Sequence, residues 1–302
     1  GPFKTPIVKA LKGVDFTIER GENYCPLGPN GSGKTTLIRC ILGLLESKGQ
    51  IEVLGYNMPK ERDLMIPQLG YMPQDLSLYP DLSVRETLSF FGRMFGIRGR
   101  TEQKRAIEHI LEILKLKRWE SMTVEALSGG MKRRLSLACA LVHKPKLIIL
   151  DEPTVGVDPT LRISFWDYFK ELNEAGATII TTTHVMDEAE KSRKIGFMRD
   201  GKLIAEGTVN ELREKMEEMR KLIIGTNREN MDPIAEKIRQ DFSLKVSSFK
   251  FKLEIHYNDD AIIEPILNII QEQAKIRELQ TVEPDLEDIF IGLSNKKEED
   301  SN

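Results

Sequence analysis

The run Gly28-Pro29-Asn30-Gly31-Ser32-Gly33-Lys34-Thr35-Thr36 fits the spacing G-x-x-x-x-G-K-[ST] and directly precedes the helix-like apolar positions Leu37, Ile38, Ile41 and Leu42. The chemistry that uses this set is the binding of a polyphosphate. Glycines let consecutive backbone N–H groups wrap the anion, Lys34 adds a mobile positive charge, Thr35 offers a hydroxyl to Mg²⁺, and the following helix points its positive end at the phosphates. A plain glycine-rich turn would look similar, yet the four fixed positions coincide by accident only on the order of 0.01 times in a chain of this length. Gly28, Asn30, Gly31, Ser32, Gly33, Lys34, Thr35 and Thr36 are therefore expected to bind nucleotide phosphates.

A second set could act on such a phosphate. Leu147-Ile148-Ile149-Leu150 runs into Asp151-Glu152, placing two acids at the carboxyl end of a buried strand, where ligands sit in open α/β sheets. Asp151 is expected to hold Mg²⁺ through water, and Glu152 to orient or deprotonate an attacking water, because phosphoryl transfer needs an in-line nucleophile and electrostatic help. Taken alone, the pattern also fits surface acids at a strand end. His184 closes the β-branched run 178–183 at the same sheet edge, placed to bond a γ-phosphate or hold the water. His109, His143 and His256 have no such setting. Leu127-Ser128-Gly129-Gly130-Met131-Lys132-Arg133-Arg134 sets a hydroxyl and two glycines before a helical run, a second anion site. Lys34 and Ser128 fall on separate subdomains, so two copies arranged head to tail, each closing the other's site, are the economical solution.

The elements that must position these groups follow from periodicity. Residues 9–19 alternate apolar Val14, Phe16 and Ile18 with polar residues and read as a strand; a second strand enters the phosphate loop. That second strand is irregular, since Asn23 and Pro26 stand where a central parallel strand should be apolar and fully paired. Residues 49–54 and 69–72 read as short strands, with Gln74 just after the latter. Residues 81–144 form a helical insert opened by a Ser83/Glu86 capping box, and 161–174 a crossover helix. Asp200-Gly201 marks a type I′ hairpin, and Thr208 with Glu211 caps a charged connector helix running to about Lys221. Beyond it, strands at 222–225, 244–246, 249–257 and 276–282 interleave with helices at 232–240 and 261–273. This order predicts a ferredoxin-like βαββαβ module, with Phe249, Phe251, Leu253, Ile255 and Tyr257 all on its buried face. The polar tail 296–302 reads as a frayed, solvated end.

With 302 residues the chain has room for a large domain and a smaller one. A net charge of −3 supplies no electrostatic argument for nucleic acid. Cys25, Cys40 and Cys139 lie far apart with no C-x-x-C spacing, which suggests neither a disulfide framework nor a zinc site and fits a reducing cytosol. No apolar run approaches the ~20 residues that cross a bilayer, and Gly1-Pro2-Phe3 starts without a charged-then-apolar leader, so a membrane role is expected to need a partner chain.

In this order, the phosphate loop, Gln74, Leu127-Ser128-Gly129-Gly130, Asp151-Glu152, Asp158 and His184 closely resemble the motifs of ATP-binding cassette (ABC) transporter ATPase subunits. The resemblance covers residues 3 to about 215. Met131-Lys132-Arg133-Arg134, Thr154-Val155-Gly156-Val157-Asp158-Pro159 and Leu286-Glu287-Asp288-Ile289-Phe290 are similar to the drug, antibiotic and polysaccharide exporter branch that includes daunorubicin-resistance ATPases.

The resemblance implies an α/β P-loop NTPase core with a mainly parallel sheet, an antiparallel β subdomain and a helical subdomain (about 76–145). It gives an ATP-binding domain over 1–217 and a C-terminal α+β accessory domain over 218–302. It implies ATP and Mg²⁺ as ligands, with Thr35, Gln74 and Asp151 at the metal. Lys34, Glu152 and His184 are implied in catalysis, Ser128, Gly129, Gly130 and Asp158 at a nucleotide held by the other copy, and Phe3 stacked on adenine. It implies a head-to-tail dimer on the inner face of the membrane, bound to a separate permease. The rivals are a soluble cassette acting on ribosomes or DNA, which usually carries two cassettes or a coiled-coil insertion not present in this sequence, and a nucleotide-binding regulator without turnover, against which Lys34, Glu152 and His184 argue.

Overall fold

The computed structural model describes residues 9–216 and 220–299, without the side chains of 295–299. Two compact units divide the chain, Gly1–Glu206 and Gly207–Asn302. Phe3 lies outside the described residues.

In the first unit, β1 (Asn23–Leu27) leads through the phosphate loop to α1 (Lys34–Ile41), followed by the two-stranded pair β2 (Glu52–Val53) and β3 (Tyr56–Asn57). A short helix α2 (Arg62–Met65) then leads to β4 (Leu69–Met72). The helical insert holds α3 (Val84–Met94), α4 (Arg100–Ile113) and α5 (Gly129–Leu141). Next come β5 (Leu147–Asp151), α6 (Pro159–Glu174), β6 (Thr178–Thr182), α7 (Met186–Ala189), and β7 (Lys194–Arg199) with β8 (Lys202–Gly207). The sheet order is β4-β5-β6-β1-β7-β8, and β4 through β7 pair in parallel.

Every residue of β5 and β6 is buried, as a strand covered on both faces requires. Leu147 and Ile149 pack with Leu37, Ile38 and Ile41 of α1 on one face. Ile148 and Leu150 join Leu135 and Leu137 of α5 and Phe165 and Phe169 of α6 on the other. The Ser83/Glu86 capping box is formed as the sequence predicts.

Residues 9–19 differ from expectation: they form no strand. Their alternation is nevertheless used, because Val14, Phe16 and Ile18 pack on the α1-side core and Phe16 stacks on Tyr24 at 5.4 Å. A period of two reports which side chains are covered, not whether the backbone finds a ladder.

The structure also accounts for Pro26. Against β7 the pairing runs unbroken from Tyr24 to Leu27, whereas against β6 it covers Asn23 and Tyr24 and returns only as a bridge at Leu27 and Thr183. The Glu22 carbonyl accepts from β6 and the Asn23 carbonyl from Arg193 beside β7. Alternation then turns the Pro26 backbone toward β6, into that gap, where the missing N–H is not called on.

The second unit opens with α8 (Val209–Glu214), capped by the Thr208/Glu211 box. The helix stops well short of Lys221, which already lies in β9 (Arg220–Thr226). Then follow α9 (Asp232–Phe242), β10 (Val246–Phe249), β11 (Lys252–Tyr257), α10 (Ile263–Gln271), β12 (Ile276–Val282) and α11 (Leu286–Glu299), the last packed against α8. The antiparallel order β10-β11-β9-β12 is that of a ferredoxin-like module. Leu253, Ile255 and Tyr257 are buried as expected, but Phe249 ends β10, Lys250 turns with φ of 49°, and Phe249 and Phe251 are exposed. The tail is helical to Glu299 rather than frayed from 296.

One turn supports the nucleotide loop directly. Asp200 and Gly201 both have positive φ (50° and 76°), the I′ geometry that joins β7 to β8. The Gly201 N–H donates to the Ser32 carbonyl at 3.0 Å, and its own carbonyl accepts from Lys12 at 2.7 Å. Gly21 has nearly the same φ, 75°, with nothing within 4 Å of an added Cβ, whereas at Gly201 that Cβ would lie 2.3 Å from the Ala10 carbonyl oxygen. Gly21→Ala should therefore lose only the left-handed backbone penalty, about 1–2 kcal/mol. Gly201→Ala should lose measurably more and weaken ATP binding as well. Urea denaturation and nucleotide titration of the pair check this; equal losses would show that the close approach relaxes freely.

Candidate nucleotide site

The loop 28–33 is closely packed at its two ends, Gly28 and Gly33, and open at Gly31 between them. A Cβ on Gly28 would lie 2.2 Å from the Met198 carbonyl oxygen of β7, while at Gly31 nothing lies within 4 Å. Gly33, with φ of 107°, caps α1, so the first free N–H groups of that helix face the loop. Lys34 is 5% exposed, and its Nζ donates to the carbonyls of Gly28 (2.7 Å) and Pro29 (3.1 Å). Burial pulls its ammonium below the ordinary lysine value, while the carboxylates of Glu152 and Asp151 act in the opposite direction.

The acids stand at the end of β5. Asp151 is 1% exposed; its Oδ1 accepts from Thr182 Oγ1. Glu152 has a left-handed backbone with φ of 51°, a conformation that costs a non-glycine residue about 1–2 kcal/mol. It is held there by its N–H, which donates to both the carbonyl and the Oγ1 of Thr182 at 3.1 Å. The turn aims its carboxylate between two of the residues singled out in sequence. Gln74 Nε2 donates to Oε2 at 3.2 Å, and His184 Nδ1 lies 3.4 Å from Oε1. Beside His184, Thr183 Oγ1 and Thr154 Oγ1 both donate to Glu188 Oε2, at 3.0 and 2.7 Å, tying the histidine's loop to the segment that follows Glu152.

The chain thus brings Lys34, Gln74, Asp151, Glu152 and His184 to one sheet edge. Ser128 and Asp158 are placed differently. Ser128 caps α5 by accepting from the Met131 N–H at 3.3 Å, and Asp158 caps α6 by accepting from the Leu161 N–H at 3.0 Å. Among the described residues neither has a hydrogen bond to the phosphate loop. Gly129 and Gly130, in the first turn of α5, have nothing within 4 Å of an added Cβ.

Two residues were not singled out in sequence. Thr182 supports both acids, yet is one of several threonines in a β-branched run. Arg133, 6% exposed, donates to three backbone carbonyls around Gln74 and Glu152, but was one basic residue among three in a row.

A nucleotide with Mg²⁺ fits these residues. Ser32 Oγ and Asp151 Oδ2 are buried without a hydrogen-bond partner, which buried polar atoms rarely are. One carboxylate and one threonine hydroxyl are the oxygen donors that Mg²⁺ shares with phosphates and water.

Comparison with known proteins places the chain among relatives of one family. The ABC transporter family model matches residues 11–155, and the model of the DrrA1-3-like ATP-binding protein C-terminal domain matches residues 207–293. The chain is 35% identical over 292 residues to the linearmycin resistance ATP-binding protein LnrL of Bacillus subtilis (strain 168), covering 95% of this chain and 94% of that one. It is 35% identical over 289 residues to the Nod factor export ATP-binding protein I of Bradyrhizobium diazoefficiens, covering 95% and 92%. A solved dimeric ATP-binding cassette in a post-hydrolysis state with ADP and Pi superimposes with a TM-score of 0.64 at 26% identity, over 69% of this chain and 94% of that one.

Thr182→Val keeps the shape of the side chain and removes the hydroxyl that donates to buried Asp151. It should lower stability by about 1–3 kcal/mol, the penalty of an unsatisfied buried group, in urea denaturation. Unchanged stability would mean that Asp151 is satisfied without Thr182.

Proposed function

The chain belongs to the ABC transporter family as an ATP-binding, ATP-hydrolysing subunit, and from that premise we propose that it drives export by closing head to tail with a second copy on ATP and Mg²⁺. The observation that carries the catalytic reading is the convergence of Gln74 and His184 on the two oxygens of Glu152, beside buried Lys34.

The phosphates of ATP lie on the loop 28–36, with the amides of that loop and Lys34 Nζ balancing charge on the β- and γ-oxygens. Thr35, Asp151 and Gln74 are the residues that would hold Mg²⁺. When bound, the ion supplies Lewis-acid stabilisation of the phosphoryl oxygens. Glu152 Oε1 or Oε2 accepts the proton of the water that attacks the γ-phosphorus, and the bond to the β,γ-bridging oxygen breaks to give ADP and phosphate. His184 keeps that water and the γ-phosphate in line, and the bond from Gln74 fixes the carboxylate's rotation. Ser128, Gly129, Gly130 and Asp158 serve the nucleotide held by the other copy, which is why this chain's own loop does not use them. Phe3 is assigned to adenine stacking from the family resemblance alone.

No helix among the described residues is long and apolar enough to cross a membrane. We assign the crossing to a separate permease, with this subunit on the cytoplasmic face, by analogy with relatives named as the ATP-binding proteins of drug-resistance and export systems. The cargo class by the same analogy is a drug, an antibiotic or a lipid- or saccharide-like compound. Residues 207–302 are read as an accessory domain, since every group assigned to the chemistry precedes it. A cassette acting on ribosomes or DNA has no counterpart among the relatives described above.

Glu152→Gln removes the base but not the binding groups. It should keep ATP affinity, lose ~100-fold or more in turnover, and elute as a dimer with ATP in size-exclusion chromatography. Lys34→Ala and Ser128→Arg chains, each inactive alone, should regain part of the activity on mixing, because the mixed dimer has one intact site. Monomeric elution of Glu152→Gln at saturating ATP and high protein concentration would overturn the shared-site reading.

A further inference from the structure

Arg133 is a buried charge without an ion-pair partner among the described residues. It lies on α5 just beyond the first turn, 6% exposed. Its three nitrogens are divided among three main-chain acceptors: Nε donates to the Pro153 carbonyl at 3.3 Å, Nη1 to the Gln74 carbonyl and Nη2 to the Glu152 carbonyl. Burial lowers its proton affinity, and the carboxylates of Glu152, Asp151 and Asp75 act the other way. Burying a guanidinium is unfavourable, and a helix that only had to pack there would be served by an apolar side chain. What the planar fork provides is simultaneous geometry. It sets the segments that carry Gln74 and Glu152 at fixed positions relative to one helix, which a single-point ammonium cannot do.

That helix starts at Ser128. We propose that Arg133 is a positioning residue that joins the seating of Ser128 on one nucleotide to the aim of Gln74 and Glu152 at the other, so that the two sites of a closed dimer act together. The proposal rests on the shared-site reading above. In that reading Ser128 meets the nucleotide of the second copy, whereas Gln74 and Glu152 meet the chain's own. Ser128 and Arg133 lie on one continuous hydrogen-bonded helix, which rises about 1.5 Å per residue, so a displacement of the Ser128 cap is passed along that helix to Arg133. The Glu152 backbone is the sensitive receiver. Its left-handed conformation is held by Thr182 at the N–H and by Arg133 at the carbonyl, and loosening either hold lets the carboxylate turn away from the bond to Gln74.

The test uses the full chain. ATPase rates, KM and Hill coefficient are measured for wild type, Arg133→Lys and Arg133→Met, together with binding of a fluorescent ATP analogue and size-exclusion elution in a Glu152→Gln background. Arg133→Lys should lower kcat by roughly 10- to 100-fold, the loss typical of small misplacements at a reacting centre. KM and analogue affinity should stay within about twofold, because the groups that bind ATP are untouched, and the Hill coefficient should fall toward unity. Dimerisation with ATP should persist. The assignment is overturned if Arg133→Lys keeps kcat and Hill coefficient within about twofold of wild type, or if its loss appears as weaker ATP binding. It is also overturned if neither variant folds, since the role is then structural. If Glu152→Gln alone stays monomeric with ATP, the shared-site reading fails, and with it the link between sites. If that variant dimerises and Arg133→Lys behaves as wild type, only the arginine assignment fails.

Discussion

Two adjacent acids and a lysine, all buried, meet at one edge of a parallel sheet: Lys34, Asp151 and Glu152 are each less than a tenth exposed. Electrostatic attraction across this small space is strong because water is excluded, and desolvation of each charge is correspondingly unfavourable. Much of the surrounding structure supplies compensation. Thr182 donates to Asp151 and accepts from the Glu152 amide, Gln74 bonds the Glu152 carboxylate, and the Lys34 ammonium bonds two loop carbonyls. The parallel sheet makes such crowding possible, since α1 begins and β5 and β6 end on the same side.

The same constraint explains which features could be read from sequence. Residues that act through backbone geometry or adjacent chemistry were legible: the phosphate loop, the acids at the end of an apolar run, the histidine closing a β-branched run, and the caps at Ser83 and Thr208 are all local patterns. Asp200-Gly201 was equally legible, because only a few residues tolerate two successive positive φ values. Features that depend on a partner remote in the chain were not. Pro26 has a place only in the gap of the pairing with β6, residues 9–19 have the alternation of a strand without a neighbouring ladder, and Phe249 follows a burial pattern that a turn at Lys250 interrupts. Arg133 is the clearest example. Three basic residues in a row carry no mark of which one turns inward, and only the positions of residues 74, 152 and 153 decide it.

The second unit contrasts with the first. Its fold follows from short, regular elements, and its core is almost entirely Leu, Ile, Met, Val and Tyr side chains, drawn from the antiparallel sheet and from the two helices α9 and α10. Sequence periodicity carries most of that unit, where among the described residues no charged side chain is buried, although the turn at Lys250 leaves Phe249 and Phe251 exposed. Where the chain buries charge for its chemistry, as at the left-handed Glu152, the demands of the site outweigh local preference.

The three cysteines are free and buried. Desolvation pushes the Cys25 thiol, one strand residue from Pro26 and close to the phosphate loop, up to about 12, and raises Cys139 and Cys40 as well. Only the thiolate attacks peroxides and disulfides, so at neutral pH these sulfurs are shielded twice, by protonation and by packing. A cysteine introduced on the surface would, by contrast, be the one that alkylating dyes find.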